Sequence, residues 1–242
     1  MLVVPDAGRI SCWLNAWLAG HESTDHVIDA VSWGDRRVEF ISVGTRECLS
    51  VALLLGELRR LRVSRVSLAL PRPGNPLGLG GPSEFNAAAL EAGAAIVLHG
   101  PGTGFVPARR GSVTSWVGAP ATPPPYLPDM QQADRDLRGA LLDTAERLAE
   151  LDVASWSPEA ADAVMNLRVA GQLDSPMALP SPAATRMTIS ALRCNAIVQL
   201  ALRDHGGAAT SNEMSARSQA LRPLERASHA AIVAACSSLD GR

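Results

Sequence analysis

Five prolines fall within the ten residues APATPPPYLP, 119–128. Each fixes φ near −65° and removes an amide donor, so this stretch cannot be helical and favours extended polyproline geometry. Such a segment carries few backbone hydrogen bonds, which predicts an exposed connector open to proteolysis. It divides the chain into residues 1–118 and 129–242, both within the usual size range of a domain.

The hydrophobic period differs on the two sides of this break. Ahead of it, residues 10–32 repeat Trp13, Trp17 and Leu18 at helical spacing, interrupted near Gly20. RRVEFISVG (36–44) then reads as a strand apolar on both faces, followed by a helix over 46–61 carrying Leu49, Leu53, Leu54 and Leu58. SRVSLAL (64–70) and AAIVLHG (94–100) read as two further strands, and GFVPARRGSVTSWVG (104–118) as a hairpin turning at Arg110 and Gly111. Strands alternating with helices suggest right-handed βαβ units. The fold class expected is α/β: a small parallel or mixed sheet with flanking helices, followed by an all-helical C-terminal part.

Beyond the prolines every signal is helical. Residues 129–151 place Leu137, Leu141, Ala145 and Leu148 on one face. Ser157 with Pro158, Ser181 with Pro182, and Thr210 with Glu213 mark helix starts. Residues 183–205 carry two apolar lines, through Met187, Ala191, Cys194 and Val198 and through Ile189, Leu192, Ala196 and Leu200, so this helix should have neighbours on two sides. Gly206 and Gly207 would end it, and Pro223 would divide the last helical stretch. The division expected is an α/β domain at 1–118, a proline-rich linker at 119–128 and a helical domain at 129–242.

Composition narrows the chemistry. A 242-residue chain with 47% hydrophobic and 19% charged residues can bury a sizeable core. All 22 basic residues are arginine. Without lysine, a Walker-type phosphate loop, a kinase strand lysine and a pyridoxal Schiff base cannot operate in standard form. The net charge of −2 gives no overall footprint for nucleic acid. One local cluster, Arg59, Arg60, Arg62, Arg65 and Arg72, suits cations at a helix C-terminus better than a phosphate patch. Cys12, Cys48, Cys194 and Cys236 form no CxxC pair. The start MLVVPDAGRI lacks the features of a secretory signal, and no apolar run reaches membrane-spanning length, so a cytoplasmic protein with reduced thiols is expected.

The loop PRPGNPLGLGG leaves the second of these strands and enters a helix near Ser83. At the carboxyl edge of a parallel sheet, glycines let backbone approach an anion, and a helix N-terminus offers amide donors. Arg72, Gly78, Gly80, Gly81 and Ser83 are therefore the candidate ligand-binding residues, with His99, at the end of another strand, as a candidate acid or base. The spacing matches neither GxGxxG nor the Walker loop, so a stiff connector is the competing reading. GPSEF (81–85) lacks the second glycine of a nucleophile elbow. In HESTDHVID (21–29), His21 and His26 lie about 140° apart on a helix and cannot share a metal ion. No metal, cofactor or catalytic residue is assigned.

The stretch PRPGNPLGLGGPSEFNAAALEAG and the later ALRPLERA (220–227) resemble alanine-rich and arginine-rich proteins of high-GC actinobacteria whose activity is uncharacterised. The resemblance implies a lineage and a shared fold, and no function. The residues themselves point first to a cytoplasmic accessory protein that binds a protein partner or a small ligand without catalysis. The alternative is a transferase or hydrolase acting on an anionic or phosphorylated small molecule at 71–83. Neither nucleic acid nor a membrane is expected as a partner.

Overall fold

The computed structural model describes residues 1–32, 37–45, 47–110, 113–150, 158–169, 171–203 and 211–239. Two compact units make up the chain. One comprises Pro5–Leu127, Ser175–Pro182 and Val233–Arg242; the other comprises Met1–Val4, Pro128–Asp174 and Ala183–Ile232.

The first unit is built on a six-stranded sheet. Its elements are helix α1 (Asp6–Leu18), helix α2 (Thr24–Val31), strands β1 (Arg37–Ile41) and β2 (Cys48–Leu49), helix α3 (Val51–Arg60), strand β3 (Arg65–Ala69), helix α4 (Ser83–Ala92), and strands β4 (Ala95–His99), β5 (Thr103–Arg110) and β6 (Val113–Pro120). The break between α1 and α2 comes at Gly20, whose φ is +79°. Ser23 starts α2 by accepting a hydrogen bond from the His26 amide, and Ser50 does the same for α3 through the Leu53 amide. Because Ser50 is a cap and Cys48–Leu49 pair with β1, α3 starts later than the apolar spacing predicts.

The sheet order is β2-β1-β6-β5-β4-β3. Among these pairs β1–β6 is parallel and the rest are antiparallel, so the sheet is mixed. The βαβ expectation fails at β3–α4–β4: Ala69 pairs with Ala95 and Arg65 with His99, which makes these strands antiparallel. Their apolar sequences reflect burial on both faces, and burial does not encode direction. β5 and β6 form the expected hairpin, paired up to Arg110 and Val113, with its tip at 111–112 outside the described residues. Ala119 and Pro120 close β6; Ala121 is buried and its amide donates to the Gly102 carbonyl.

Strand alternation sorts the core into two layers. Val66, Leu68, Ile96, Leu98, Phe105, Trp116 and Phe40 share one face by register. There Phe40 meets Phe105 edge-on at 5.3 Å and stacks on Trp116 at 6.2 Å. On the other face Phe85 and Ala89 of α4 pack with Ala69, Ala95 and Val97. A Cβ at Gly104 would lie 2.5 Å from the Phe85 ring, so only glycine admits this ring against β5.

β3 is an edge strand, yet its outward backbone is paired. The Asn15 side chain accepts from the Val66 amide and donates to the Val66 carbonyl, both at 2.8 Å, and also donates to the Cys236 carbonyl at 3.0 Å. The Leu68 amide donates to Ser237 Oγ at 3.0 Å. Side chains thus cover an edge that would otherwise invite pairing with another strand.

The second unit is helical, with α5 (Met130–Glu150), α6 (Pro158–Val169), α7 (Pro182–Arg203, from Ala183 on) and α8 (Ser211–Ser237, up to Ile232). The first expected helix-start residue, Ser157, and the terminating Gly206 and Gly207 lie outside the described residues, as does Thr210. Along α5 the buried residues are Ala133, Leu137 and Thr144, while Leu141 is exposed, correcting the expected apolar line. Each step of four residues drifts about 40° round the helix, so a long i, i+4 row leaves the buried stripe. In α7 the Met187, Ala191, Cys194 and Val198 line is buried, and of the other line Leu192 is buried and the rest half-buried. α7 and α8 exchange polar side chains, Gln199 to Glu225 at 2.9 Å and Asn195 to His229 at 3.1 Å. Pro223 sits inside α8 and does not divide it. Leu221 and Leu224 are buried on either side of it, and their packing outweighs the missing hydrogen bond.

Candidate functional site

The loop between β3 and α4 folds on itself. Leu70 donates to the Leu77 carbonyl, and Arg72 and Asn75 exchange two backbone hydrogen bonds at 2.9 and 2.8 Å. Gly78 and Gly80 admit backbone, and that backbone belongs to the same chain. A Cβ on Gly78 would lie 2.5 Å from the Leu68 carbonyl oxygen, and one on Gly80 would lie 2.4 Å from the carbonyl oxygens of both Thr122 and Pro123. Gly81, at φ +107°, donates its amide to Asn86 Oδ1 and accepts from the Thr122 amide through its carbonyl.

Arg72 and Ser83 also take local roles. Arg72 Nη1 reaches the Gly93 carbonyl at 3.4 Å and the Pro71 carbonyl at 3.3 Å, which places the cation at the C-terminus of α4, where the helix dipole favours it. Pro82 is the N-cap of α4; Ser83 is its first helical residue and is exposed.

His99 lies at the other end of the strand pair. It pairs with Arg65 at the start of β3, whereas the loop departs after Ala69. Four residues at about 3.4 Å each separate the two levels by roughly 14 Å. The register therefore brings Arg72, Gly78, Gly80, Gly81 and Ser83 into one loop and leaves His99 apart from them. In a parallel pair both features would have shared an edge. His99 Nε2 is 3.0 Å from Ser67 Oγ, and burial, then the neighbouring Arg65, hold its pKa below the ordinary value.

The arginine cluster is similarly dispersed. Arg59 lies 4.4 Å over the Trp17 ring, Arg60 pairs with Glu57, and Arg62 occupies a left-handed turn after α3 at φ +52°. In the HESTDHVID segment, His26 bonds Glu22 at 2.7 Å and meets Trp13 edge-on. Among the described residues no cluster of three or more His, Cys, Asp or Glu could hold a metal ion. The four cysteines are free thiols, and burial, then the neighbouring Cys236, push the Cys12 thiol up.

A hollow of about 180 Å³ lies elsewhere in this unit, between α3 and the sheet. Its floor is Leu54, Leu58, Leu98 and Phe105, all buried. Ser42 and Thr103, both half-buried, carry hydroxyls, and the exposed Val43, Arg60 and Leu61 form the rim with the half-buried Glu57. At that rim Arg60 Nε donates to both Glu57 oxygens at 3.0 and 3.2 Å, and Nη2 donates to Oε2 at 2.8 Å. The guanidinium holds the Glu57 carboxyl below its usual range, so the pair is ionised at neutral pH. Sequence reasoning misses this site because each leucine there has the spacing of an ordinary core position. The available signal was Glu57 and Arg60 three apart on α3, a spacing that brings side chains together.

Models of the Rv1486c-like protein family match the chain, the N-terminal domain over residues 7–130 and the C-terminal domain over residues 131–233. The chain belongs to this family. It is similar to the uncharacterized proteins Rv1486c and MT1533 of two Mycobacterium tuberculosis strains, H37Rv and CDC 1551, being 27% identical to each over 187 residues, 60% of this chain. The match spans 65% of the length of these relatives. The actinobacterial resemblance thus rests on a family shared with mycobacterial proteins. No solved structure matches. No helix among the described residues is long and apolar enough to cross a membrane.

Proposed function

We propose that the protein is a cytoplasmic accessory protein that binds a small ligand without catalysing a reaction, and that the hollow beneath α3 receives it. One observation carries this reading: an apolar floor remains unfilled beneath a rim that holds the Glu57–Arg60 pair, an apolar hollow with a few polar groups being the form small-molecule sites take. The groups at the rim suit retention better than chemistry, since Glu57 and Arg60 satisfy each other. A transferase or hydrolase acting at 71–83 draws no support from the loop, where Gly78 and Gly80 are packed against neighbouring backbone and Gly81 is bonded within the chain.

The test is a metabolite thermal-shift screen on the unmodified protein and on Leu61→Trp, which places an indole across the rim. The expected result is a compound that stabilises the unmodified protein, fails to stabilise Leu61→Trp, and is recovered chemically unchanged. Recovery of a converted product would establish an enzyme, and equal stabilisation of both forms would move the site elsewhere.

A further inference from the structure

Taking the hollow beneath α3 as the binding site, we infer that it selects a compact, uncharged, largely apolar ligand of about one six-membered ring, and that Glu57 is the residue that sets this selectivity.

Size gives the first half of the inference. The hollow measures about 180 Å³. A leucine- and phenylalanine-lined cavity of roughly 150 Å³ holds benzene, while pockets for larger ligands start near 300 Å³. A single ring with one polar substituent fits, and a nucleotide does not.

Charge gives the second half. A carboxylate moved over Leu54, Leu58, Leu98 and Phe105 loses its hydration and needs a cation in return. Arg60 is the cation of the rim, but its Nε and Nη2 are already committed to Glu57 in a forked pair. An anionic ligand would have to displace Glu57 or approach against its charge. A neutral hydroxyl or carbonyl needs neither, because the Ser42 and Thr103 hydroxyls lie in the lining and can each donate or accept a hydrogen bond.

The inference is tested by calorimetric titration of phenol, cyclohexanol, benzoate and adenosine monophosphate into the unmodified protein, Leu61→Trp and Glu57→Gln. Phenol and cyclohexanol should bind the unmodified protein at least about tenfold more tightly than benzoate, with no binding to Leu61→Trp. Glu57→Gln should raise the affinity for benzoate relative to that for phenol by about tenfold or more. Benzoate or adenosine monophosphate binding the unmodified protein as tightly as phenol would overturn the inference, as would Glu57→Gln leaving the affinity for benzoate relative to phenol unchanged. If no probe binds while the screen yields a compound lost in Leu61→Trp, the ligand class is wrong and the hollow remains the site. If neither binds, both readings fall.

Discussion

At Gly78 and Gly80 of the loop 71–83, chain backbone fills the space that glycine opens, whereas beneath α3 ordinary leucines leave a space unfilled. Gly78 and Gly80 are tight against the carbonyls of Leu68, Thr122 and Pro123. Leu54 and Leu58, with full side chains, border the hollow. The contrast teaches that a glycine-rich loop records close approach by some backbone or ligand without saying which. A cavity, in turn, arises from how helix and sheet are spaced and leaves no mark on residue type.

The largest effect that can break this contrast comes from Gly80→Ala. Its methyl would overlap two carbonyl oxygens at 2.4 Å, and the unfolding free energy should fall by about 3 kcal/mol in urea titration. A loss under about 1 kcal/mol would mean that residues 122–123 yield easily and that the loop is not a packed connector. Gly81→Ala is a smaller perturbation. Nothing lies within 4 Å of the new methyl, so the cost is the positive φ alone, on the order of 1 kcal/mol. Phosphate and sulfate should shift the melting of neither form; stabilisation of the unmodified protein alone would restore the loop as an anion site.

The smallest effect concerns His99. Its folded pKa lies below the ordinary value of 6.5, so the unfolded chain takes up the proton first as pH falls. The stability it contributes is complete above about pH 6.5 and declines as pH drops from there through the folded pKa, by less than about one proton's slope. His99→Gln should flatten that decline in urea titrations across this range. An unchanged slope would assign the acid sensitivity to other groups.

Much of the fold was legible in the sequence because local chemistry announces it. Gly20 turns the chain, and Val66, Leu68, Ile96 and Leu98 read as strand, whereas the leucine spacing runs through Ser50, which caps α3, and so predicts helix there. Strand direction was not legible, since it depends on where the chain between Ala69 and Ala95 returns, and apolar residues buried on both faces look alike either way. That one ambiguity misplaced His99 relative to the loop. Pro223 misled for a different reason: a local rule against proline in helices gave way to the burial of Leu221 and Leu224. Of the candidate site, the loop residues were seen and its own backbone as their neighbour was not.

The pairing of the β3 edge has a consequence for biosynthesis. The Leu68 amide finds its acceptor in Ser237, 169 residues later in the chain. At about 5–20 residues per second, a ribosome needs roughly ten to thirty seconds to deliver that partner after β3 has been made. Once β6 ends at Pro120, the nascent sheet has every strand it needs but for the rest of this interval presents an unfinished edge, the feature by which growing chains on neighbouring ribosomes join one another. Chaperone demand for this protein should therefore peak after the sheet is synthesised and end with the last turn of α8.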